Sequence, residues 1–465
     1  MKAYQFKGLL QNEQWLVPAY VRIDKQGNLL TISNKKETGI SYTKVNGFAV
    51  PGLPNAHSHA FQYAMVGITE QHDLTGKRDD FWGWRNAMYQ LALSVNPEQM
   101  EAIATMLYME MLRHGYTEVA EFHYVHQPIN GGVYNNKAEL GERLIAAAKT
   151  AGIKITLIPI FYQNGGFGQA ASSGQRRFLS KDLADYLELL EASKKACAYY
   201  KYASIGCGPH SLRAVEPSLI KTFAELMDDA MPFHLHVSEQ KKEVEASLAY
   251  LGKRPVEWLT ENIDLNDNFH LIHATHLTPL ETKALAKSGA NVVLCPSTEG
   301  NLGDGIFSLK AFQKAGGNWS IGTDSQICLN PFADLRLLDY GQRITTHQRN
   351  NFVDDTNGDS GLYALNKMVM TGRKAMGKKR VAFFATGEAF DAVILDAQTP
   401  ILAVCAKENL AATIVYASDV SMHLGTMVNG EWVIRKGKHE EGTNIKRRFI
   451  KALKELNNRQ CNRQF

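Results

Sequence analysis

Short apolar runs alternate with amphipathic stretches through the middle of the chain. In one unit, residues 96–98 (Asn-Pro-Glu) form a typical helix start, with a capping residue, a proline in the first turn and then an acid. Apolar residues follow on one helical face, at spacings of three and four: Met100, Ile103, Leu107 and Met111. Gly115 predicts the end of this helix, and the run 117–122 is predicted to be the next strand.

The same alternation predicts eight strands, which are residues 48–54, 117–122, 155–161, 203–208, 233–237, 269–274, 291–295 and 319–323. Repeated β-α units imply a parallel sheet, and eight of them indicate a (β/α)8 barrel. An open doubly wound sheet is the alternative, but no Gly-x-Gly-x-x-Gly follows the first strand. We therefore predict an α/β fold with a TIM-like barrel over residues 51–378.

Both ends of the chain are rich in short strands. Residues 21–32 form one hairpin pattern, and residues 427–434 form another with Asn-Gly at its turn. We predict that residues 1–50 and 379–465 pair into one small β-sandwich domain beside the barrel. The basic stretch 446–457 is predicted to be a helix with a solvated face.

The composition narrows the class of protein. The 465 residues are 45% hydrophobic and 21% charged, with a net charge of +4, and this balance gives no reason to expect nucleic acid. Six scattered cysteines without a C-x-x-C pair indicate a reducing compartment. The first residues lack the apolar core of a signal peptide, and no run of about 18 apolar residues predicts a membrane span. We therefore expect a cytoplasmic protein with no membrane partner.

Side chains that bind metals or carry protons lie at the ends of four predicted strands. In chain order they are His57, His59, His234, His236, Glu239, His273 and Asp324. Residues i and i+2 of a strand point to the same side, so His57 and His59 project together. Catalytic groups of a (β/α)8 barrel lie at the carboxyl ends of its strands, so we expect these side chains to converge. Spacing alone does not decide between His234 and His236.

Three histidines and an aspartate suit zinc or another first-row metal and leave room for a water molecule. A bound metal lowers the pKa of that water towards about 7. Glu239 is then the candidate proton shuttle, and His273 is the candidate group for polarising the substrate. The implied chemistry is metal-assisted hydrolysis at a trigonal carbon. Four further side chains are predicted to be structural or to lie in loops: His123, His126, His276 and Glu299.

Polar and basic side chains near the same strand ends are candidate substrate contacts. They are Gln62, Arg85, Tyr124, His210 and Arg213. Arginine binds carboxylates through two parallel hydrogen bonds, so two arginines at one pocket suit a small molecule with two carboxylates. The alternative for each arginine is an ordinary salt bridge at the surface or between domains.

Several of these motifs resemble the amidohydrolase superfamily, in its deaminase branch. They are residues 51–62 with their His-x-His, the pair His236-x-x-Glu239, His273, and Gly-Thr-Asp324-Ser. Narrower blocks are similar to the formimidoylglutamate deiminase family, and the similarity extends over the whole chain. These blocks are residues 81–85, 121–126, 208–213, 254–259 and 301–305.

The resemblance implies one zinc ion per chain, or another first-row divalent metal such as Fe²⁺, held by His57, His59, His236 and Asp324. It also implies that water attacks the formimino carbon of N-formimino-L-glutamate and that ammonia leaves. Asp324 would take a proton from the water, Glu239 would deliver one to the departing nitrogen, and His273 would complete the catalytic set. The five candidate contacts would bind the glutamate portion. We also expect a homodimer.

One position departs from the family pattern. Close relatives would carry histidine after Gly-Thr-Asp-Ser, whereas this chain has Gln326. Glutamine donates and accepts hydrogen bonds but carries no charge, so the rate, pH profile or substrate would change if that position orients Asp324 or titrates.

Two other hypotheses for the function of the protein stay open. One is a deaminase of another substrate, such as a purine, on the same scaffold. The other is a catalytically silent protein that keeps the fold.

Overall fold

A computed structural model describes residues 1–12, 14–70, 81–228, 230–353, 358–379 and 381–461. The strands in this part of the chain are β1 (Lys2–Gln11), β2 (Gln14–Leu16), β3 (Ala19–Ile23), β4 (Leu29–Ser33), β5 (Thr43–Pro51), β6 (Leu53–Ser58), β7 (Tyr116–His123), β8 (Lys154–Phe161), β9 (Asn164–Gly166), β10 (Gln169–Ala170), β11 (Ala203–Ile205), β12 (Gly208–Pro209), β13 (Phe233–Val237), β14 (Phe269–His273), β15 (Asn291–Leu294), β16 (Asn318–Ile321), β17 (Ala392–Asp396), β18 (His423–Val428) and β19 (Glu431–Arg435). The helices are α1 (Phe81–Ala92), α2 (Pro97–Arg113), α3 (Glu139–Ala151), α4 (Leu183–Cys197), α5 (Pro217–Leu226), α6 (Lys241–Leu251), α7 (Pro255–Asn262), α8 (Pro279–Ser288), α9 (Pro296–Leu302), α10 (Leu309–Lys314), α11 (Pro331–Thr346), α12 (Ser360–Ala375), α13 (Pro400–Ala403), α14 (Leu410–Ala417) and α15 (Gly442–Cys461).

Strands from both chain ends form one sheet, in the order β19-β18-β17-β5-β1-β3-β4, with β2 paired to β1. β5 lies parallel to β1 and antiparallel to β17, so the C-terminal strands pair directly with the N-terminal ones. Both predicted hairpins are present. Val21 pairs with Ile32, and the turn between β18 and β19 places Asn429 and Gly430 at φ 51° and 68°. This sheet agrees with the small β-sandwich domain predicted from the two chain ends.

The central strands close into a parallel barrel. β6, β7 and β8 form one arc together with the short strands β11 and β12, and β13 to β16 form a second arc. Parallel bridges join the two arcs: Cys207 pairs with Phe233 on one side, and Ser58 pairs with Asp324 on the other. The predicted (β/α)8 barrel is confirmed, and the carboxyl ends of its strands meet at one end of the barrel.

The first predicted strand was wrong in its extent. Residues 48–54 belong to two strands, because β5 ends at Pro51 in the small sheet and β6 begins at Leu53 in the barrel. Gly52 separates them, and its backbone N–H donates to the carbonyl of Asp391 at 2.9 Å. The apolar run continues across both strands, so hydrophobicity does not mark the point where the chain passes from one sheet to the other.

The fourth predicted strand, 203–208, is interrupted. β11 pairs with β8, the Cys207 N–H then donates to the carbonyl of Pro232 at 3.0 Å, just before β13, and β12 pairs with β8 again. The predicted strand is therefore broken at residues 206–207, between β11 and β12. The domain boundaries after residues 50 and 378 stay predictions.

The helix predicted after residue 96 is α2, and its ends follow from the local sequence. Asn96 Oδ1 accepts from the backbone N–H of Gln99 at 2.8 Å, and the Gln99 side chain accepts from the Asn96 N–H at 3.2 Å. This reciprocal capping satisfies two of the N–H groups that a helix start leaves free. Gly115 follows the helix at φ 99°, a conformation that favours glycine.

The basic C-terminal stretch is helix α15, which packs along α2. Its apolar side chains Ile445, Ala452 and Leu456 are buried, and Phe449 stacks on Tyr63 with ring centroids 5.6 Å apart. The basic side chains lie mainly on the opposite, exposed face, as predicted. Within the described residues, no helix is both long and apolar enough to cross a membrane.

Candidate active site

Four candidate metal ligands meet at the carboxyl end of the barrel. They are His57 in β6, His59 directly after it, His236 in β13 and Asp324 after β16. The close approach of β16 to β6 depends on Gly322, because a Cβ there would lie 2.7 Å from the Cβ of His57. The glycine of the Gly-Thr-Asp motif therefore has a packing role that brings the aspartate to the histidines.

The ligand atoms of this cluster lie close together. Nε2 of His57 is 3.1 Å from Nε2 of His59 and 3.2 Å from Nε2 of His236. Oδ1 of Asp324 is 3.2 Å from His57 Nε2 and 3.1 Å from His59 Nε2. All four residues are buried. Ligand atoms around a tetrahedral zinc ion with bonds of about 2.0–2.1 Å would be about 3.3 Å apart, so the spacing suits such an ion.

Hydrogen bonds decide which ring nitrogens face the cluster. His59 Nδ1 lies 2.9 Å from the carbonyl of Phe122, and His236 Nδ1 lies 3.1 Å from the carbonyl of His210. A carbonyl only accepts, so these Nδ1 atoms carry the hydrogen and the Nε2 lone pairs face each other. Burial lowers the pKa of His57 to about 3, so that ring is neutral. Converging lone pairs and a carboxylate repel unless a cation lies between them, so these residues fit a divalent metal.

His273 and Glu239 lie beside the cluster. Nε2 of His273 is 3.7 Å from Glu239 Oε1 and 3.9 Å from Asp324 Oδ2, and Nδ1 is 3.3 Å from Glu299 Oε1. Burial opposes a charged ring, but the carboxylates of Glu239, Glu299 and Asp324 outweigh it and raise the pKa of His273 to about 10. Burial raises the pKa of Glu239. The pair therefore offers a charged donor and a carboxyl able to carry a proton.

The backbone at these strand ends adopts left-handed conformations. φ is 50° at Ser238, 69° at His273, 47° at Asp324 and 69° at Gln326. A non-glycine residue in this region costs of order 1–3 kcal/mol and persists only where surrounding contacts fix it. Such residues cluster at functional sites, because the turn that follows a strand must aim a particular side chain.

One cavity opens on this cluster, and the five candidate substrate contacts all line it: Gln62, Arg85, Tyr124, His210 and Arg213. The cluster residues that share the lining are His59, His236 and Asp324. Gln62 Nε2 donates to the hydroxyl of Tyr124 at 2.9 Å. The ring of His210 stacks on that of His236 with centroids 4.8 Å apart. The structure therefore brings these predicted contacts together at the candidate metal centre.

The two arginines of the cavity have different neighbours. The guanidinium of Arg85 lies 5.5 Å from the centre of the Tyr89 ring, one helical turn further along α1. Arg213 contacts two carboxylates, Glu243 at 3.3 Å and Glu239 at 3.8 Å. Arg213 thus forms ion pairs within the protein, as the alternative interpretation expected, and it also lines the cavity.

Three polar side chains at the site were not predicted from the sequence. Glu299, expected in a loop, lies in α9, where its carboxylate accepts from the Cys295 N–H at 2.8 Å and contacts His273. Tyr162 lines the cavity. Glu121 is buried at the carboxyl end of β7. β7 contains two carboxylates, Glu118 and Glu121, which is unusual for a buried strand. That pattern could have indicated Glu121 from the sequence. The sequence held no comparable signal for Tyr162.

His234 lies away from the cluster. Its Nε2 is 3.0 Å from the carbonyl of Ala375, and its ring stacks on His270 with centroids 4.7 Å apart. The rings of His123 and His126 pack against each other, with centroids 4.8 Å apart. Of the two histidines that spacing could not separate, His236 is the one that contacts His57.

A closed parallel barrel with a buried His/Asp cluster at the carboxyl ends of its strands defines a class, the metal-dependent hydrolase barrels. The model of the amidohydrolase family matches residues 48–433, and the chain belongs to that family. It is a hydrolase that acts on C–N bonds.

Three known proteins illustrate the similarity. Formimidoylglutamate deiminase of Pseudomonas aeruginosa is 42% identical over 415 residues, which cover 89% of this chain and 90% of that protein. The crystal structure of an amidohydrolase from Brucella melitensis has a TM-score of 0.91 at 37% identity, covering 98% of this chain and 100% of that chain. An adenosine deaminase from Xanthomonas campestris with bound zinc shares the fold, with a TM-score of 0.79 at 20% identity over 98% of both chains.

Proposed function

We propose that this protein is a zinc-dependent deiminase that hydrolyses N-formimino-L-glutamate to N-formyl-L-glutamate and ammonia, a step of histidine degradation. The proposal rests on one cavity in which the candidate metal cluster, Glu239 and two arginines meet. The name of the Pseudomonas aeruginosa relative supports the substrate, because that protein is a formimidoylglutamate deiminase.

Zinc is the metal that we propose, one ion per chain, held by His57, His59, His236 and Asp324. When bound, it supplies a Lewis acid that makes water nucleophilic at neutral pH, by lowering its pKa towards about 7. The histidine-rich set supports this choice over calcium or magnesium, which prefer oxygen ligands. The zinc in the Xanthomonas campestris neighbour also supports it.

Three residues at or beside the cluster would each carry out a different part of the reaction. Asp324 contacts His57 and His59 through Oδ1, which leaves Oδ2 to accept a proton from the attacking water. His273 donates a hydrogen bond to the charge that develops as the formimino carbon becomes tetrahedral. Glu239 passes protons to the nitrogen that leaves. The formimino =NH gains the two protons that the water loses, the first to Asp324 on attack and the second as the carbonyl forms. The C–N bond breaks at that point, so the oxygen of water ends in the formyl group and the nitrogen leaves as ammonia.

Five side chains that line the cavity would bind the glutamate portion. Arg85 and Arg213 suit its two carboxylates, while Gln62, Tyr124 and His210 supply further hydrogen bonds. A neutral heterocycle needs no pair of cations. The two arginines therefore favour a dicarboxylate over a purine, the substrate of the alternative hypothesis.

The test is ammonia release by the zinc-loaded protein from N-formimino-L-glutamate, compared with guanine and adenosine. We expect turnover of the formimino compound alone. Activity on the heterocycles only would overturn the proposal in favour of a purine deaminase. No turnover, with less than one equivalent of metal bound after zinc loading, would support a silent scaffold.

We also propose a cytoplasmic homodimer. Sedimentation equilibrium of the purified chain tests the oligomer, and a mass of one chain at micromolar concentration would contradict it. Fractionation of the native host tests the compartment.

A further inference from the structure

Gln326, the residue that departs from the family pattern, is buried in a chain of hydrogen bonds. Its Nε2 donates to Ser58 Oγ at 3.0 Å and to the backbone carbonyl of Asp324 at 2.6 Å. Its Oε1 accepts from Thr323 Oγ1 at 2.7 Å. The residue is 2% exposed. Both amide hydrogens are therefore used inside the protein, and Gln326 has no free donor for a substrate.

These bonds belong to a longer series with one direction. Asn55 Nδ2 donates to Thr323 Oγ1 at 2.8 Å, and at the other end Ser58 Oγ donates to Glu121 Oε2 at 2.7 Å. The direction thus runs from the Asn55 amide through Thr323, Gln326 and Ser58 to a carboxylate that accepts. Every donor of the series has an acceptor, so the series favours one arrangement of these side chains.

The series joins the two segments that carry metal-ligand candidates. Ser58 lies between His57 and His59, and Thr323 and Gln326 flank Asp324. The backbone at Asp324 and at Gln326 is left-handed, with φ 47° and 69°, so this turn needs contacts that hold it. The amide of Gln326 supplies three of them at once. An imidazole, with two ring nitrogens at most, cannot reproduce two donated bonds and one accepted bond.

We propose that Gln326 is a positioning residue, which holds Asp324 and the His57–His59 segment in the mutual orientation that binds the metal. This inference rests on the metal site of the proposed function and deepens it. Gln326 acts through Asp324 and Ser58 and does not touch the reacting atoms. Side chains that orient metal ligands typically contribute 10–100-fold to metal affinity or activity, and we expect an effect of that size.

The decisive variant is Gln326→Leu, which keeps the approximate volume and removes the three bonds. Its matched control is Gln342→Leu. Gln342 lies on α11, is also buried, and donates through Nε2 to the backbone carbonyl of Phe307 at 2.8 Å. Zinc affinity is measured by competition with a chelator, and the unfolding temperature of the metal-free form is measured alongside.

We expect Gln326→Leu to bind zinc about 10–100-fold more weakly than the wild type, with kcat reduced and KM little changed. Gln342→Leu should lose thermal stability while keeping its zinc affinity. Equal zinc affinity and equal kcat in the two variants would overturn the inference. If Gln326→Leu does not fold, Ser58→Ala takes its place, since it removes one link of the series with a smaller change. Wild-type zinc affinity in Ser58→Ala would equally count against the inference.

The wild-type protein separates this inference from the proposed function. If the wild type binds one zinc ion and deiminates N-formimino-L-glutamate while the Gln326 and Ser58 variants match it, only the positioning role is wrong. If the wild type binds no zinc, the proposed function is wrong and the inference is lost with it.

Discussion

Histidines and carboxylates occur at both ends of the barrel, but they have different partners at the two ends. β13 carries His234 towards its amino end and His236 towards its carboxyl end; both are buried, and burial lowers the pKa of both rings. His234 finds a backbone carbonyl at 3.0 Å and stacks on His270. His236 instead turns Nε2 towards Nε2 of His57 at 3.2 Å. Burial and residue type are thus the same for the two histidines, and only their neighbours differ.

The charged groups divide in the same way. Towards the amino end of β7, Glu118 pairs with Lys378 and lies 3.5 Å from the Nε of Arg373. Nearby, Lys154 pairs with Asp391 of the small domain. The charged side chains named here form ion pairs within the protein. At the carboxyl end, three imidazoles and a carboxylate converge and need a ligand from outside, which distinguishes a binding site from a structural network.

The largest effect is expected from Asp324→Asn. It removes a metal-ligand candidate and the proposed proton acceptor together, so turnover should fall by at least about 10³-fold. The control is Asp334→Asn, because Asp334 is another buried acid and does not line the cavity. Its carboxylate accepts from the Ser297 N–H at 3.2 Å. Steady-state ammonia release measures both variants. An Asp324→Asn protein with more than a tenth of wild-type kcat would contradict the assignment.

The histidine pair of β13 gives the next contrast. His236→Ala should lose most of its bound zinc and its activity, because one of four ligand candidates is missing. His234→Ala should keep one zinc ion and most of its kcat while its unfolding temperature falls, since that ring packs against His270. Metal analysis after dialysis, together with a thermal melt, compares them. Loss of zinc in both variants would show that His234 also contributes to metal binding, which contradicts the distinction between the two ends of the barrel.

Arg213→Ala should act on substrate binding with zinc retained. The charge-assisted hydrogen bonds of an arginine contribute about 1.5–3 kcal/mol, so we expect KM to rise by about 10–100-fold. Arg343→Ala is the control, because Arg343 pairs with Asp339 at 2.6 Å on α11. An unchanged KM in Arg213→Ala would show that Arg213 is only the partner of Glu239 and Glu243.

The smallest effect on activity is expected at the amino end, from Glu118→Gln. The change leaves Lys378 and Arg373 without their carboxylate, and removing one member of a buried pair costs about 3–5 kcal/mol. We expect a value at the low end, because Lys378 is partly exposed, and an unchanged kcat. The control Glu431→Gln breaks an exposed pair with Lys2 and should cost about 0–1 kcal/mol. Urea unfolding measures both.

The same variant makes a prediction about pH. Burial opposes the charge of Glu118, but Lys378 and Arg373 outweigh it and hold the pKa below its ordinary value of 4.5. A carboxylate with a lowered pKa in the folded state stabilises the protein above the pKa of the unfolded chain. The stability difference between wild type and Glu118→Gln should therefore be constant near neutral pH and shrink as the pH falls below about 4.5. A difference that grows on acidification would exclude this pairing.

Much of the candidate site could be predicted because barrel geometry places strand ends together. His57, His59, His273 and Asp324 required only the positions of strands and the rule that barrel sites lie at their carboxyl ends. His236 needed the resemblance as well, because periodicity places it on the same face as His234.

Other features could not be predicted, since they depend on distant contacts. The break at Gly52 follows from pairing with Asp391, far along the chain, and the local apolar run gives no sign of it. The left-handed backbone at Asp324 is fixed partly by Ser58 and Gln326, so it depends on contacts between two strands. The position of Glu299 likewise depends on where α9 begins after β15.

The pairing of β5 with β17 also sets an order of events during synthesis. β5 leads through Gly52 into the strand that carries His57, yet one of its edges is filled only by β17, which leaves the ribosome after the entire barrel. Until then that edge can accept a strand from any other chain. A chain truncated before residue 392 would therefore be prone to aggregate, because this edge of β5 would stay unpaired.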